Sequence, residues 1–380
     1  MFEKFIEFTR EMYGTSGRIS LHEPQFMGNE RKYVLEAIDS TFVSSIGKFV
    51  DQFEESFSEY IGSNHAIATM NGTSALHIAL VLAGVESDDH VLTQSLSFVA
   101  TTNSIHYCNA DPIFIDVDID SLSLSPEKLS DYLKKNCEIN ADGFCVNKAT
   151  KKKIKACLPM HTFGFPAEID KLKPLCDEYN IILIEDAAEA LGSFNHNKHT
   201  GTESLLSVFS FNGNKLITTG GGGMIVTDSE KLASRAKHLT TTAKILDGFS
   251  WGHDELGYNY RLPNINSALG LAQLEVVDKF LDSKRQIASN YQNWFKDSSI
   301  KFVEEREGTK ANYWLNTIIL ENRAERDIFL KETNENKVNT RSVWEPMHTL
   351  PFNKKFIAYD LENTIWLSER LVNLPSSPIL

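Results

Sequence analysis

Short apolar runs recur along the first two thirds of the chain, and most are followed by a stretch with helical periodicity. The runs are AIATM (66–70), HVLTQ (90–94), DPIFIDV (111–117), IKACLPM (154–160), IILIED (181–186), LSVFSF (206–211) and GGMIVT (222–227). Between them lie helix-like segments such as TSALHIALVLAG, PEKLSDYLKKN and EIDKLKPLCDEYN. This alternation predicts an α/β fold with a large, mostly parallel sheet of seven strands and helices on both faces. Strands that are apolar throughout suit a sheet covered on both sides.

Beyond Asp228 the pattern changes. SEKLASRAKHL reads as a helix, and TTTAKILDGFSWGHDELGYNYRLP as a connection of about two dozen residues, long enough to suggest function. Ile265, Leu269, Ala272, Val276, Phe280 and Ile287 form one stripe, which predicts a single long helix from Asn264 to Phe295. NYWLNTIIL, VNTRSVW and a helix over NTIWLSERLVNL then build a small α+β unit. The expected division is a large domain over 1–280, including the N-terminal segment, and a small C-terminal domain over 281–380. The stretch between Leu129 and Lys155 is longer than a usual helix-to-strand connection and reads as a surface insertion.

Composition narrows the class. The 380 residues are 42% apolar with a net charge of −13, which argues against a nucleic-acid surface. The densest positive run, Lys148–Lys155, has no interleaved aromatics and reads as a solvated loop. Five cysteines (Cys108, Cys137, Cys145, Cys157, Cys176) lack metal-like spacing and suit reduced thiols in the cytoplasm. The N-terminal MFEKFIEFTREMYG is acidic, amphipathic and too short to span a bilayer.

Four polar segments fall at predicted strand ends: NGTSAL, SLSFVATT, EDAAEALGS and SFNGNK. Ligands of doubly wound sheets collect there. Gly72, Thr73 and Ser74 lead a strand into a helix, so free amides and two hydroxyls suit a phosphate, although a plain helix cap fits the same residues. Glu185 and Asp186 end a buried strand, where a carboxylate calls for a cationic partner. Lys215 follows SFNGN and precedes Gly220–Gly223, whose missing side chains would let a strand start close beneath a ligand. An amine drawn partly out of water is a nucleophile toward carbonyls. Phosphate, protonated ring nitrogen and aldehyde are the three handles of pyridoxal 5′-phosphate, and the chain supplies a partner for each.

NGTSALHIAL, EDAAEALGS, SFNGNKLITTGGGGM and LGYNYRLPNINSALGLAQLE closely resemble the DegT/DnrJ/EryC1/StrS sugar-nucleotide aminotransferases, from about Leu21 to the C-terminus. The resemblance implies a fold-type I pyridoxal-phosphate enzyme, active as a homodimer with shared sites. It implies that Lys215 carries the cofactor and moves the proton, that Asp186 pairs with the pyridine nitrogen and that Glu189 approaches the 3′-hydroxyl. Thr73, Ser74 and Ser210 would bind the phosphate, Phe98 would stack on the ring, and Asn259 would reach the partner's cofactor phosphate. Arg261 would serve the phosphate or the substrate. His161, Lys244, Arg341, Trp344 and His348 are the substrate-side candidates, with a packing role open for Trp344 and a structural one for His161.

LHEPQFMGNE, SSIGKFVDQFE, HLTTTAK and HDELGYNYR look most like the subgroup acting on UDP-linked 4-keto-6-deoxy-2-acetamido sugars, with L-glutamate as amino donor. Such enzymes supply 4-amino sugars for bacillosamine- and legionaminic-type glycans. A 3-keto or a dTDP- or GDP-linked keto sugar is the alternative acceptor. A non-catalytic regulator on the same fold would have lost the lysine, which is present.

Overall fold

The computed structural model of the chain describes residues 2–380, the Asp247 side chain excepted. Seven strands of its main sheet match the apolar runs: β1 (His65–Thr69), β2 (His90–Gln94), β3 (Asp111–Ile115), β4 (Ile154–Leu158), β5 (Ile182–Asp186), β6 (Leu206–Ser210) and β7 (Gly223–Thr227). An eighth, Ala358–Tyr359, adds to the edge, so the order is β1-β7-β6-β5-β4-β2-β3 followed by Ala358–Tyr359. Two residues are too short a run for hydrophobic patterning to register. Only β7 is antiparallel to its neighbours, β1 and β6. Every residue of β2 and of β7 is buried, as expected of strands covered on both faces.

Each face of the sheet carries its own core. Phe53, Phe57, Phe209 and Phe211 interlock edge-to-face on one side, with centroids 5.1 to 6.1 Å apart. Leu76, Ile78, Leu80, Ile105 and Leu239 pack on the other. The helices start where side chains can cap them. Asn71 accepts from the Ser74 amide at 2.7 Å, and Ser125 and Ser229 cap Pro126–Asn136 and Glu230–Thr240.

The structure departs from the sequence expectation in four places. The stripe over 264–295 is two helices, Asn264–Leu274 and Val277–Phe295, broken at Val276 (φ −120°, ψ 10°). Their apolar positions continue across the break, which hides it from periodicity. The long connection contains an antiparallel hairpin, Lys244–Asp247 with Ser250–His253. The 129–155 stretch also holds a hairpin, Cys137–Ile139 with Cys145–Asn147. NTIWLSERLVNL splits into the helix Glu362–Ser368 and the strand Leu371–Leu374. That strand lies between Asn316–Ile319 and Arg341–Ser342 in a second, four-stranded sheet.

The N-terminal helix Phe2–Tyr13 packs with the C-terminal elements rather than on the main sheet. The Phe5 ring sits 5.1 Å from Phe329 and 5.8 Å from Phe295. Among the described residues no helix is long and apolar enough to cross a membrane. The lysine-rich run is an ion-paired surface, with Lys151 on Glu138 and Lys152 on Asp88 and Asp111.

Gly223 has a different reason from the one the sequence suggests. A Cβ on Gly223 would lie 2.6 Å from the Asn71 carbonyl carbon and oxygen and 2.7 Å from the Gly72 nitrogen. The glycine therefore lets β7 start directly against the turn that opens the helix Gly72–Leu82; it clears backbone, not ligand. Gly223→Ala should cost about 1–3 kcal/mol of stability through overpacking and displace that turn. Gly221→Ala, whose Cβ would meet nothing nearer than 3.8 Å, is the control. Thermal melts of the two variants would separate them, and equal melting temperatures would refute the steric account.

Candidate active site

The carboxyl ends of β1, β2, β5 and β6 converge on a cavity of about 300 Å³. The turn after β1 contributes Asn71, Gly72 and Thr73, and the segment after β2 contributes Phe98 and Thr101. From β5 and beyond come Asp186 and Glu189, and from β6 onward Ser210, Asn212, Asn214 and Lys215. The small sheet's side supplies Trp314, Arg341 and Trp344.

Lys215 keeps 12% of its side chain exposed, and its Nζ lies 3.0 Å from Glu189 Oε1. The same ammonium stands 4.0 Å above the Trp314 ring centroid. Trp314 is in turn fixed by donating its indole N–H to the Asn214 carbonyl at 2.7 Å. The second oxygen of Glu189 accepts from the Phe163 amide at 2.9 Å. Phe163 takes φ 56° to present that amide, a conformation uncommon outside glycine. Burial pushes the Glu189 carboxyl above the usual range, and Lys215 opposes the shift.

Asp186 is the more exposed to electrostatic cost. Thr101 donates its hydroxyl to Oδ2 at 2.8 Å and the Ala188 amide donates to Oδ1 at 3.2 Å. Ser97 donates to the Thr101 oxygen at 2.8 Å, so the hydroxyl hydrogen is aimed at the acid. Among the described residues no cation lies within ion-pair distance of Asp186, and burial raises its pKa despite these donors. Neighbouring Glu185 shows the contrast. It projects to the opposite side of the strand and meets His161 Nε2 at 3.0 Å and the amides of Gly201, Glu203 and Ser204. Burial would raise its pKa, but His161 and these amides hold it below the usual value.

These features fit pyridoxal phosphate. The helix Gly72–Leu82 opens on the cavity with Thr73 and Ser210 beside its first turn, a cradle for phosphate. A Cβ on Gly72 would come within 3.0 Å of Ser210 Cβ, so the cradle closes only around glycine. Asp186 is a buried anion without a cation, and Lys215 is the amine on the opposite chain segment.

Several residues expected at the site lie elsewhere. Both His161 nitrogens are engaged internally, Nε2 with Glu185 at 3.0 Å and Nδ1 accepting from the Ala167 amide at 2.9 Å. Arg261 meets Glu54 Oε1 at 2.7 Å and the Ala68 carbonyl at 3.0 Å. Lys244 covers Trp251 on the exposed hairpin, 3.2 Å from the ring centroid. Asn259 is exposed and bridges to Thr241, and Ser74 lies outside the cavity lining with its amide on Asn71. His348 sits behind the wall, its Nδ1 2.7 Å from Ser95 Oγ. Trp344 does reach the cavity, its ring tilted against Phe98 at 5.8 Å and against Phe163 at 4.9 Å.

Sequence reasoning missed Asn71, Thr101, Met160 and Trp314. Thr101 had a local signal, since it lies in the polar SLSFVATT segment that follows a strand. Trp314 had none, since it comes from 99 positions beyond Lys215 in the chain.

The chain matches the family model described as the DegT/DnrJ/EryC1/StrS aminotransferase family over residues 24–380. It is 38% identical to GDP-perosamine synthase of Vibrio cholerae, covering 95% of this chain and 94% of that one. GDP-perosamine synthase of Escherichia coli O157:H7 is 35% identical over the same shares. Among solved structures, Helicobacter pylori PseC, an aminotransferase involved in the biosynthesis of pseudoaminic acid, superposes with a TM-score of 0.85 at 25% identity. That superposition covers 94% of this chain and 93% of PseC. Cavity and relatives agree: the chain belongs to the DegT/DnrJ/EryC1/StrS aminotransferase family and is a pyridoxal-phosphate-dependent sugar-nucleotide aminotransferase.

Proposed function

We propose that this protein moves an amino group from L-glutamate to C4 of a UDP-linked 4-keto-6-deoxy-2-acetamido sugar. The observation that carries the transfer chemistry is the Lys215 ammonium, held inside the cavity by Glu189 at 3.0 Å and by the Trp314 face. The choice of acceptor rests on LHEPQFMGNE, SSIGKFVDQFE, HLTTTAK and HDELGYNYR. A GDP-linked keto sugar is the second reading, because three relatives at 35 to 38% identity are named GDP-perosamine synthase. The enzyme acts in the cytoplasm as a homodimer. The exposed apolar tip of the hairpin region, Leu246, Phe249, Trp251 and Leu256, supports a second copy as its cover.

In this reading Lys215 would hold the cofactor, and its amine would move the proton at the sugar's C4. Bound cofactor supplies an electron sink for the carbon that loses that proton. Asp186 keeps the ring nitrogen protonated, with Thr101 and the Ala188 amide fixing its orientation. Thr73 and Ser210 take the phosphate together with the helix amides. Glu189 orients Lys215 and faces the ring hydroxyl. Phe98 and Trp344 form an aromatic wall beside the ring and exclude water. Arg341 holds the carboxylate of glutamate. Its Nε is buried without a partner, and its Nη2 donates to Asn373 Oδ1 at 3.5 Å.

Three outcomes test these roles. Lys215→Ala should abolish both turnover and the borohydride-sensitive absorbance band of the purified protein. A persistent band would remove Lys215 from its role. Incubating wild type with glutamate and either the UDP- or the GDP-linked 4-keto sugar, then locating the new amine by NMR, decides the acceptor.

Asp186→Asn should lower turnover by about a thousandfold, since an ion pair at contact is worth about 4 kcal/mol at an effective dielectric of roughly 20. The same change should stabilise the cofactor-free protein. An acid whose folded pKa is raised opposes folding once ionised, so wild type loses stability as pH climbs from the ordinary carboxylate value through the raised one. Melting temperatures of the two apoproteins should coincide in acid and diverge, with the variant higher, as pH rises. A gap that closes with rising pH would contradict the assignment.

A further inference from the structure

Asn312 is fully buried just ahead of the strand Asn316–Ile319, and both polar atoms of its side chain are engaged. Its Nδ2 donates to the Glu189 carbonyl at 2.9 Å and to the Leu191 carbonyl at 2.8 Å. Its Oδ1 accepts from the Trp314 amide at 2.7 Å, closing a tight turn over Tyr313. Glu189 and Trp314 are the two residues that hold the Lys215 ammonium, one by its carboxylate and the other by its ring face. A single side-chain amide thus ties together the main chains of both partners of that amine.

The backbone around Asn312 is shaped to admit it. Gly164 takes φ 91°, and a Cβ there would fall 1.8 Å from Asn312 Oδ1. Phe163 and Tyr313 take φ 56° and 49° on either side. Such conformations persist only where their surroundings over-determine them, and they gather at functional sites. The chemistry is equally demanding, since two carbonyls face the nitrogen and one amide faces the oxygen. Asparagine donates twice and accepts once; aspartate would turn an acceptor on both carbonyls. A residue needed only to join two parts of the chain would manage with its backbone. The Asn312 amide already does so, donating to Ser193 Oγ at 3.0 Å, and that hydroxyl donates to the Gly164 carbonyl at 2.7 Å.

We propose that Asn312 is a positioning residue for the transfer step. It sets the separation of the Glu189 carboxylate and the Trp314 ring, and so the orientation of the Lys215 amine between them. The assignment rests on Lys215 as the reactive amine of the reading above. Asn312→Ala removes all three side-chain bonds. Ser193→Ala removes the backbone staple and leaves those bonds in place. Asn312→Asp keeps the shape and the acceptor but loses the donors when ionised. Three measurements are compared. The first is acetylation of Lys215 in the full-length cofactor-free protein by an N-hydroxysuccinimide ester, read by peptide mass spectrometry against exposed Lys331. The others are kcat and KM of the holoenzyme for glutamate, and thermal melting.

Asn312→Ala should acetylate Lys215 about tenfold faster, because two buried carbonyls and an amide lose their partner and the clamp opens. Its kcat should fall about tenfold with KM little changed, as when only the geometry of the reacting group is lost. Ser193→Ala should lower the melting temperature alone. Burial favours the neutral acid in Asn312→Asp, which regains a donor, so its kcat relative to wild type should rise as pH falls. Where Asn312→Ala does not fold, a pH-independent ratio for Asn312→Asp overturns the assignment. Wild-type acetylation and kcat in a folded Asn312→Ala overturn this inference alone. A Lys215→Ala protein that keeps its absorbance band overturns the role of Lys215 and this inference with it.

Discussion

The site is organised around a carboxylate, Asp186, that folding removes from water without giving it a counter-ion. Thr101 and the Ala188 amide stabilise its charge by hydrogen bonding, yet burial still outweighs them. Glu189, nearby and equally buried, takes the one ammonium in reach. Two acids and one amine leave an excess negative charge in a volume of low dielectric, which costs stability in the protein alone. A ligand with a cationic ring nitrogen, an anionic phosphate and a carbonyl relieves each strain at once. The cost of burying that charge thus favours a ligand that neutralises it.

The pattern of burial along β5 makes the same point from the fold outward. Successive side chains of a strand point to opposite faces. Glu185 therefore enters the core beneath and is fully provided for by His161 and three amides. Asp186 faces the cavity and is deliberately under-provided. Two carboxylates adjacent in sequence have opposite pKa shifts for that reason alone.

Local patterning carried most of the main sheet and the residues at its strand ends, because a strand buried on both faces writes an unbroken apolar run. Thr73, Phe98, Asp186, Glu189, Ser210 and Lys215 each sit within a few residues of such a run, and all line the cavity. What failed to show was set by distance or by competing partners. Trp314 reaches Lys215 from another unit of the fold, and no window of sequence contains both. Arg261 and His161 have the chemistry of ligand-binding residues, but Glu54 and Glu185 occupy them. The break at Val276 was invisible because apolar spacing continues through it. Gly223 was legible as a place needing no side chain, but not as to which neighbour required the space.

A chain of net charge −13 that handles nucleotide sugars needs its positive charge confined to a few places. Most of its cations near the cavity are already neutralised: Arg261 by Glu54, Lys215 by Glu189. Arg341 stands out, a partly buried guanidinium on the cavity wall beside Trp344 with no carboxylate at ion-pair distance among the described residues. An aminotransferase takes a keto sugar and an amino donor in turn, and the two differ in charge. A wall with one unpaired cation, Arg341, beside the aromatic faces of Phe98 and Trp344 would meet them with different side chains. Recognition of a charged donor then need not compromise recognition of the sugar ring.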